Sequence, residues 1–317
     1  MTEYELEASV ITPSRGGRDR LPQLVAALAA QQDAPEFELI VVLDGDVDRS
    51  EQMLEQLAQQ HSRLRLRWVV FPENRGRVSA LNSGAEASLG RILIRCDDDM
   101  VPGAHYIRDH VRAHDPGPRG VIGLPRNVLP STPYQRVYGD FADARHAADA
   151  YRLPADEQWR HWAGNVSVPR EIHDELGGYD ADYRRYGWED VDFGYRLHQA
   201  GYPVVIEPKL ETAHHAAAVS TASRARRALY SGASRAIFIQ KHGDAPLGGD
   251  RPPSGLWGWA VRAVAAGSTS RTVQGWSVLD RVVDRLPGSL GRRVVSLAVE
   301  GAAEAGRSRP DRARENF

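Results

Sequence analysis

Four times within the first hundred residues, a short apolar run stops at a polar loop and gives way to helical spacing. The runs are Ala8-Ser9-Val10-Ile11-Thr12-Pro13, the stretch 37–43, the stretch 64–71, and Ile92-Leu93-Ile94. Between them Leu21, Leu24, Val25, Leu28 and Ala29 recur on one helical face, as do Met53, Leu54 and Leu57, and a third helix is expected over 78–88. Strands that alternate with helices in this way build a parallel sheet with helical crossovers. Ligands of such sheets bind beyond the carboxyl ends of the strands. The loops at 13–18, 44–48, 74–77 and 97–99 are therefore expected to converge on one crevice.

The last of these loops is Asp97-Asp98-Asp99, followed by Pro102. Adjacent carboxylates repel, and a strand end leaves them little room to spread. A positive partner is needed, and the simplest is a divalent cation with oxygen ligands, Mg²⁺ or Mn²⁺, which commonly carries a phosphate-bearing substrate. An isolated acidic triplet reads as a solvated turn. Its place at the end of a parallel strand makes it a site.

The second half is less regular. A helix is expected over 104–114, a strand over 120–124, and the span 125–158 is mixed and polar. Gly164-Asn165-Val166-Ser167-Val168-Pro169 reads as a strand or turn, and a short helix over 171–176 stops at Gly177-Gly178. A second acidic cluster follows, Tyr186-Gly187-Trp188-Glu189-Asp190-Val191-Asp192. Rings beside Glu189 and Asp190 would shield a carboxylate and raise its pKa, which suits a general base for a hydroxyl nucleophile. Carboxylates at a helix start are also favoured by the dipole, and both readings can hold for adjacent residues. After a helix over 191–200 and the strand Val204-Val205-Ile206 come His214-His215, either of which could complete a metal shell with Asp97 and Asp99.

From Ala216 the character changes. Arg224, Arg226, Arg227, Arg235 and Lys241 decorate a helix, Pro252-Pro253 interrupts the chain, and Trp257, Trp259 and Trp276 lie in weakly amphipathic segments. Packing of these rings on the catalytic part is the favoured expectation, because large aromatics are usually buried. A peripheral membrane contact and a homo-oligomer contact are the alternatives. The charged tail after Gly306 is expected to be disordered.

Composition sets outer limits. The chain has 317 residues, 42% of them hydrophobic and 26% charged, as in an ordinary globular protein. A net charge of -2 gives no support to nucleic-acid binding. The single Cys96 excludes an internal disulfide framework and a cysteine-based zinc cluster. No apolar run reaches bilayer-spanning length, and the acidic start lacks a signal-peptide pattern, so a cytoplasmic location is expected, with the inner face of the membrane as the place of any peripheral contact.

The motifs in order resemble a known family. Val10-Ile11-Thr12-Pro13-Ser14-Arg15, Val41-Val42-Leu43-Asp44-Gly45-Asp46, Asn74-Arg75-Gly76 with Ala80-Leu81-Asn82-Ser83-Gly84, and Cys96-Asp97-Asp98-Asp99 resemble the successive motifs of family 2 glycosyltransferases with the GT-A fold. Gly164-Asn165-Val166-Ser167, Gly177-Gly178-Tyr179-Asp180, Gly187-Trp188-Glu189-Asp190-Val191-Asp192 and Arg196 are similar to the C-terminal motif region of galactosyltransferase-type enzymes. The resemblance covers about 9–215. It implies an α/β fold of the GT-A, Rossmann-like type, a mixed and mainly parallel sheet flanked by helices, followed by a mostly helical C-terminal extension. The implied domains are a catalytic one over 1–215 (a nucleotide-sugar half over about 1–102, an acceptor half over about 103–215), the extension over 216–306 and the tail over 307–317.

The resemblance also implies roles. Pro13, Ser14, Arg15 and Asp44 would hold the nucleotide, with Asn74, Gly76, Asn82, Asp97 and Asp98 completing the nucleotide-sugar site. The family often has two adjacent acids where this chain has Leu43-Asp44. Asp97 and Asp99, with His214 or His215, would hold Mn²⁺ or Mg²⁺. Asp190 matches the base of inverting members, with Glu189 beside it. Trp188, Gly187 and Asn165 would form a platform for the sugar or acceptor. The implied activity is metal-dependent transfer from a nucleoside-diphosphate sugar, with a UDP-sugar favoured, to a glycan, lipid-linked or small-molecule acceptor. A nucleotidyltransferase would share the sheet and the carboxylates but release pyrophosphate. A catalytically inactive nucleotide- or carbohydrate-binding module would bind without turnover.

Overall fold

The structure is a computed structural model that describes residues 4–184, 187–215, 218–248 and 254–313. The chain divides into two compact units.

The first unit comprises Met1–Arg126, Ala147–Ala181 and Glu189–His215. Its elements begin as β1 (Leu6–Ser14), α1 (Leu21–Ala29), β2 (Phe37–Leu43), α2 (Ser50–Gln60), β3 (Arg65–Val70), α3 (Arg77–Ala87) and β4 (Gly90–Cys96). They continue as β5 (Met100–Val101), α4 (Tyr106–Arg112), β6 (Gly120–Ile122), β7 (Pro125–Asn127) and α5 (Asp140–Arg152), the first half of which belongs to the second unit. The rest are β8 (Asn165–Pro169), α6 (Arg170–Glu175), α7 (Glu189–Gln199), β9 (Val204–Ile206) and β10 (Thr212–His214).

The main sheet has seven strands in the order β3-β2-β1-β4-β8-β6-β9. β3, β2, β1 and β4 run parallel, as the fourfold alternation requires. β8 then runs antiparallel to both β4 and β6, and β6 pairs parallel with β9. The sheet is thus mixed. The stretch 164–169, ambiguous in sequence, supplies the reversed strand.

Strands covered on both faces read as continuous apolar runs, and β1, β2 and β4 do so. Ile92, Ile94 and Cys96 of β4 face a core shared with Leu21, Leu24 and Leu28 of α1 and Met53, Leu54 and Leu57 of α2. Side chains alternate across a strand, so Leu93 and Arg95 point the other way, into a cavity also lined by Leu81 of α3, Tyr179 and Phe193 of α7. A three-stranded sheet, β5-β10-β7, completes this unit; His214 of β10 stands opposite Met100 of β5.

The second unit comprises Asn127–His146, Asp182–Trp188 and Ala216–Phe317. It is helical: α8 (Thr221–His242), α9 (Gly255–Gly267), α10 (Ser270–Gln274), α11 (Ser277–Val283) and α12 (Gly288–Ser308). Its core pairs Ala225, Leu229 and Ala233 of α8 with Ala302 and Ala305 of α12. The two backbones approach so closely that a Cβ at Gly306 would stand 1.9 Å from the Leu229 carbonyl oxygen, and one at Gly232 2.1 Å from that of Ala303.

The sequence put a division after residue 215; this unit's last segment starts at Ala216, and 127–146 and 182–188 also belong to it. α12 runs to Ser308 and a 3₁₀ turn follows at Pro310–Arg312, so helix extends into the segment expected to be disordered. Residues 314–317, Tyr186 and Pro252-Pro253 lie outside the described residues.

Candidate active site

Parallel strands deliver their carboxyl ends to one edge of the sheet, and the loops expected to meet there do so. Asp44, just past β2, accepts the backbone N–H of Arg75 at Oδ1 (2.6 Å) and that of Gly76 at Oδ2 (3.0 Å). Asn74 Oδ1 accepts the same Gly76 N–H at 3.0 Å. Arg15 Nη1 donates to the Asp44 carbonyl at 2.9 Å, and Pro13 lies opposite Val42 in the β1–β2 ladder. Arg15, Asp44, Asn74 and Gly76 therefore form one loop cluster over three strand ends. Asn82 is elsewhere: its Nδ2 donates to the Tyr179 carbonyl and its Oδ1 accepts the Tyr179 N–H, at 2.8 and 2.9 Å. Both ends of that amide are spent on tying α3 to the turn before α7.

The acidic triplet is divided among three partners. Asp97 continues the alternation of Leu93 and Arg95. Arg95 Nε donates to its Oδ1 at 2.8 Å and Nη2 to its Oδ2 at 3.2 Å. Asp98 turns the other way, to Arg20 (Nε to Oδ1 3.0 Å, Nη2 to Oδ2 2.8 Å) and the Ser14 hydroxyl (2.5 Å). Asp99 turns to β10, where its Oδ2 lies 3.1 Å from His214 Nε2. Burial pushes the Asp97 carboxyl up, but the charges of Arg95 and Arg77 outweigh it and hold it below its ordinary value. For Asp98 burial wins over Arg20, and its pKa is raised. Two arginines thus supply much of the positive charge that the sequence assigned to a metal.

What remains for a cation is Asp99 with His214. Asp99 Oδ1 is buried and has no hydrogen-bond partner, a costly state for a carboxylate oxygen unless something else binds it. A carboxylate oxygen beside an imidazole nitrogen is a donor set that suits Mn²⁺. Among the described residues no group of three or more His, Cys, Asp or Glu side chains gathers as a metal site. These two residues fit a cation that would need its remaining ligands from elsewhere. The His215 side chain is exposed, and its backbone N–H donates to the Asp99 carbonyl at 2.8 Å.

The second acidic cluster opens α7. Glu189 is 2% exposed; its Oε1 lies 3.8 Å from Arg77 Nη1, and its Oε2 has no hydrogen-bond partner. Asp190 accepts a short hydrogen bond from Arg95 Nη1. Burial pushes both carboxyls up. Asp190 raises Glu189 further, whereas Arg95 partly offsets the rise at Asp190. Arg95, 3% exposed, therefore touches both acidic clusters. Burial alone would lower its pKa, but Asp190 and Asp97 together drive it well above the ordinary value.

Two expected platform residues, Gly187 and Trp188, belong to the second unit. There the Trp188 indole donates to Ser231 Oγ at 3.0 Å and packs against Phe238. Its backbone takes φ +74°, a left-handed turn immediately before α7. Asn165 is placed differently from the expectation that it meets an acceptor. It is fully buried; Nδ2 donates to the Leu210 carbonyl (2.8 Å) and Thr212 Oγ1 (3.0 Å), and Oδ1 accepts from Tyr106 and His110. It is a core tie beneath β10.

Sequence reasoning passed over Arg95, Arg20 and Arg77. Arg95 carried a signal: an arginine directly after Ile92-Leu93-Ile94 and two residues before an acid is an anomaly that needs buried partners. Arg20 and Arg77 sit at helix starts, where arginine is ordinary.

A mixed, mainly parallel sheet flanked by helices, with a polar crevice beyond its strand ends and carboxylates after the fourth strand, is GT-A architecture. The chain belongs to Glycosyl transferase family 2, whose family model matches residues 9–168. A second family model, the N-terminal domain of galactosyltransferase, matches residues 144–218. Validoxylamine A glucosyltransferase of Streptomyces hygroscopicus subsp. limoneus is 30% identical over 226 residues, which is 62% of this chain and 49% of the relative. The chain spans about half the length of the first curated relatives it matches. A mannosyltransferase, PcManGT from Pyrobaculum calidifontis, solved with GDP-Man and Mn²⁺, has the same fold at TM-score 0.66 and 20% identity, over 96% of this chain and 88% of that one. GalNAc-T7, solved with UDP, GalNAc and Mn²⁺, matches at TM-score 0.56 and 14% identity, over 87% of this chain and 55% of that one.

Proposed function

We propose that this chain is a metal-dependent glycosyltransferase that moves a sugar from a nucleoside-diphosphate sugar to an acceptor hydroxyl, with inversion. The observation that carries the reading is the meeting of the two acidic clusters on Arg95, next to the loops at the carboxyl ends of β1, β2 and β4. Asp44 and its loop cluster hold the nucleotide, as in the family. Asp99 and His214 hold Mn²⁺ or Mg²⁺, which when bound neutralises the diphosphate leaving group as a Lewis acid. Asp190 accepts the proton of the acceptor hydroxyl as that oxygen attacks the anomeric carbon, and the bond to the diphosphate oxygen breaks on the opposite face. Its burial-raised pKa makes it a better base than a solvated aspartate, while Arg95 keeps it ionised. Glu189 offers its unpartnered Oε2 to a sugar hydroxyl.

The test is a panel of nucleotide sugars with Mn²⁺, read as donor hydrolysis or transfer. A UDP-sugar is the first donor to try and GDP-mannose the second. Failure of any nucleotide to bind, with or without metal, would sink the proposal, and release of pyrophosphate would replace it with a nucleotidyltransferase.

For the extension, we propose an anionic lipid surface as the partner. Residues 216–317 carry 16 Lys and Arg against 8 Asp and Glu. On α9, Leu256 is 90% and Trp259 68% exposed, an apolar pair one helical turn apart. Among the described residues no helix is long and apolar enough to cross a membrane. Flotation with vesicles containing phosphatidylglycerol should carry the protein, and Trp259→Ser should weaken it. Equal recovery with purely zwitterionic vesicles, or a dimer abolished by the same substitution, would count against a lipid partner.

A further inference from the structure

We infer that Arg95 is a positioning residue for the proposed transfer: one guanidinium sets Asp190, at the start of α7, against the Asp97 loop at the end of β4. The inference rests on the proposed function. It starts from cost. Arg95 lies in a strand whose neighbours Ile92, Ile94 and Cys96 are fully buried, and it is itself only 3% exposed. A guanidinium there must be paired to offset its desolvation, and one carboxylate suffices for that. Arg95 has two. Nε and Nη2 form a two-pronged contact with Asp97, and Nη1 reaches Asp190, 95 residues away in the chain.

The planar fork makes the two contacts interdependent. Its N–H directions are fixed relative to one another, so the angle at which it grips Asp97 dictates where Nη1 meets Asp190. The Asp97 end is itself anchored. Its backbone N–H donates to the Gly164 carbonyl at 3.0 Å, and Gly164 leaves no room for a side chain, since a Cβ there would stand 2.6 Å from Asp97 Oδ2. The Tyr179 ring lies under the guanidinium, 5.8 Å from centroid to Cζ. Asp190 is thus referenced, through rigid contacts only, to the loop that also carries Asp99.

The experiment is a double-mutant cycle on the full chain with Arg95→Lys and Asp190→Asn, reading nucleotide Kd by calorimetry, kcat and acceptor KM by turnover, and Tm. Lysine keeps the charge but not the fork. R95K should bind nucleotide within about threefold of wild type while kcat falls about 100-fold, the cost typical of a misplaced catalytic group. In the Asp190→Asn background it should cost no further rate, because Arg95 acts through Asp190. Retention of kcat by R95K overturns the inference, and so does a full additional loss in the double variant. Should R95K melt more than about 10 °C below wild type, Arg95→Gln takes its place in the same cycle, and failure of both to fold assigns Arg95 to stability alone. Wild type that consumes no donor refutes the proposed function and this inference with it. An active wild type unaffected by R95K refutes the inference alone.

Discussion

Acid should loosen the first unit through a buried histidine pair beneath the site. His110 Nδ1 lies 2.9 Å from Ser167 Oγ and its Nε2 3.1 Å from Asn165 Oδ1, while His114 Nε2 lies 2.8 Å from the same Ser167 oxygen. Asn165 Oδ1 can only accept, so His110 carries its proton on Nε2 and takes the Ser167 hydroxyl proton at Nδ1. Ser167 then accepts from His114 Nε2, which leaves His114 Nδ1 bare, and that atom is buried without a partner. Protonation of His114 would put a proton on Nδ1, where no acceptor waits, and protonation of His110 at Nδ1 would displace the Ser167 hydroxyl proton from its acceptor. Burial accordingly lowers both to about 3, and at His114 His110, Arg91 and Arg119 add to the effect.

The sign follows directly. Unfolded histidine binds its proton near pH 6.5, the folded pair only near 3, so the unfolded state gains protons first on acidification. The stability is complete above about pH 6.5 and is lost as pH falls toward 3, at about 1.4 kcal/mol per pH unit for each ring. Between pH 7 and pH 5 this amounts to about 2 kcal/mol per histidine. Urea unfolding of wild type and His114→Gln at both pH values isolates one ring, since glutamine cannot titrate and all other groups cancel. Wild type should lose about 2 kcal/mol more than the variant across that interval. Equal losses would refute a neutral, buried His114 and the chain of hydrogen bonds argued from it.

Chelation should abolish Mn²⁺-dependent nucleotide binding and added Mn²⁺ restore it, and Asp99→Asn should weaken that binding in calorimetry by at least the roughly 10- to 100-fold that loss of a ligand's outer-shell partner costs. Asn165→Ala removes four buried hydrogen bonds, leaves His110 Nε2 without its acceptor and should cost about 3 kcal/mol in urea unfolding, as expected of an internal tie rather than a substrate contact. Gly306→Ala drives a methyl into the α8 backbone and should destabilise the second unit by about 3 kcal/mol, seen as a lower Tm.

Much of the fold was legible because its signals are local. Apolar runs bounded by polar loops marked β1 to β4, helical spacing marked the crossovers, and parallel pairing then placed the loop ends on one edge. The reversal of β8 was not legible: a five-residue strand between a glycine and a helix carries no directional mark, and only its pairing with β4 and β6 gives it one. The sequence put Asp44 and Asn74 on loops of a common edge, and in the structure both accept the Gly76 N–H. It took Asn165 for part of a sugar or acceptor platform because nothing in a local motif reveals its contacts with Tyr106, His110, Leu210 and Thr212.

The acidic triplet marks the boundary most clearly. From the chain alone it follows that Asp97, Asp98 and Asp99 sit at a strand end and need positive company. How that need is met is a tertiary matter. Strand alternation and chain reversal turn the three in different directions, and their partners come from 2, 78 and 115 residues away. Arg95 takes Asp97, Arg20 takes Asp98, and Asp99, facing His214 of β10, keeps one buried oxygen without a hydrogen-bond partner. Like charges in sequence repel equally; it is the fold that makes them unequal, by giving each a different neighbour.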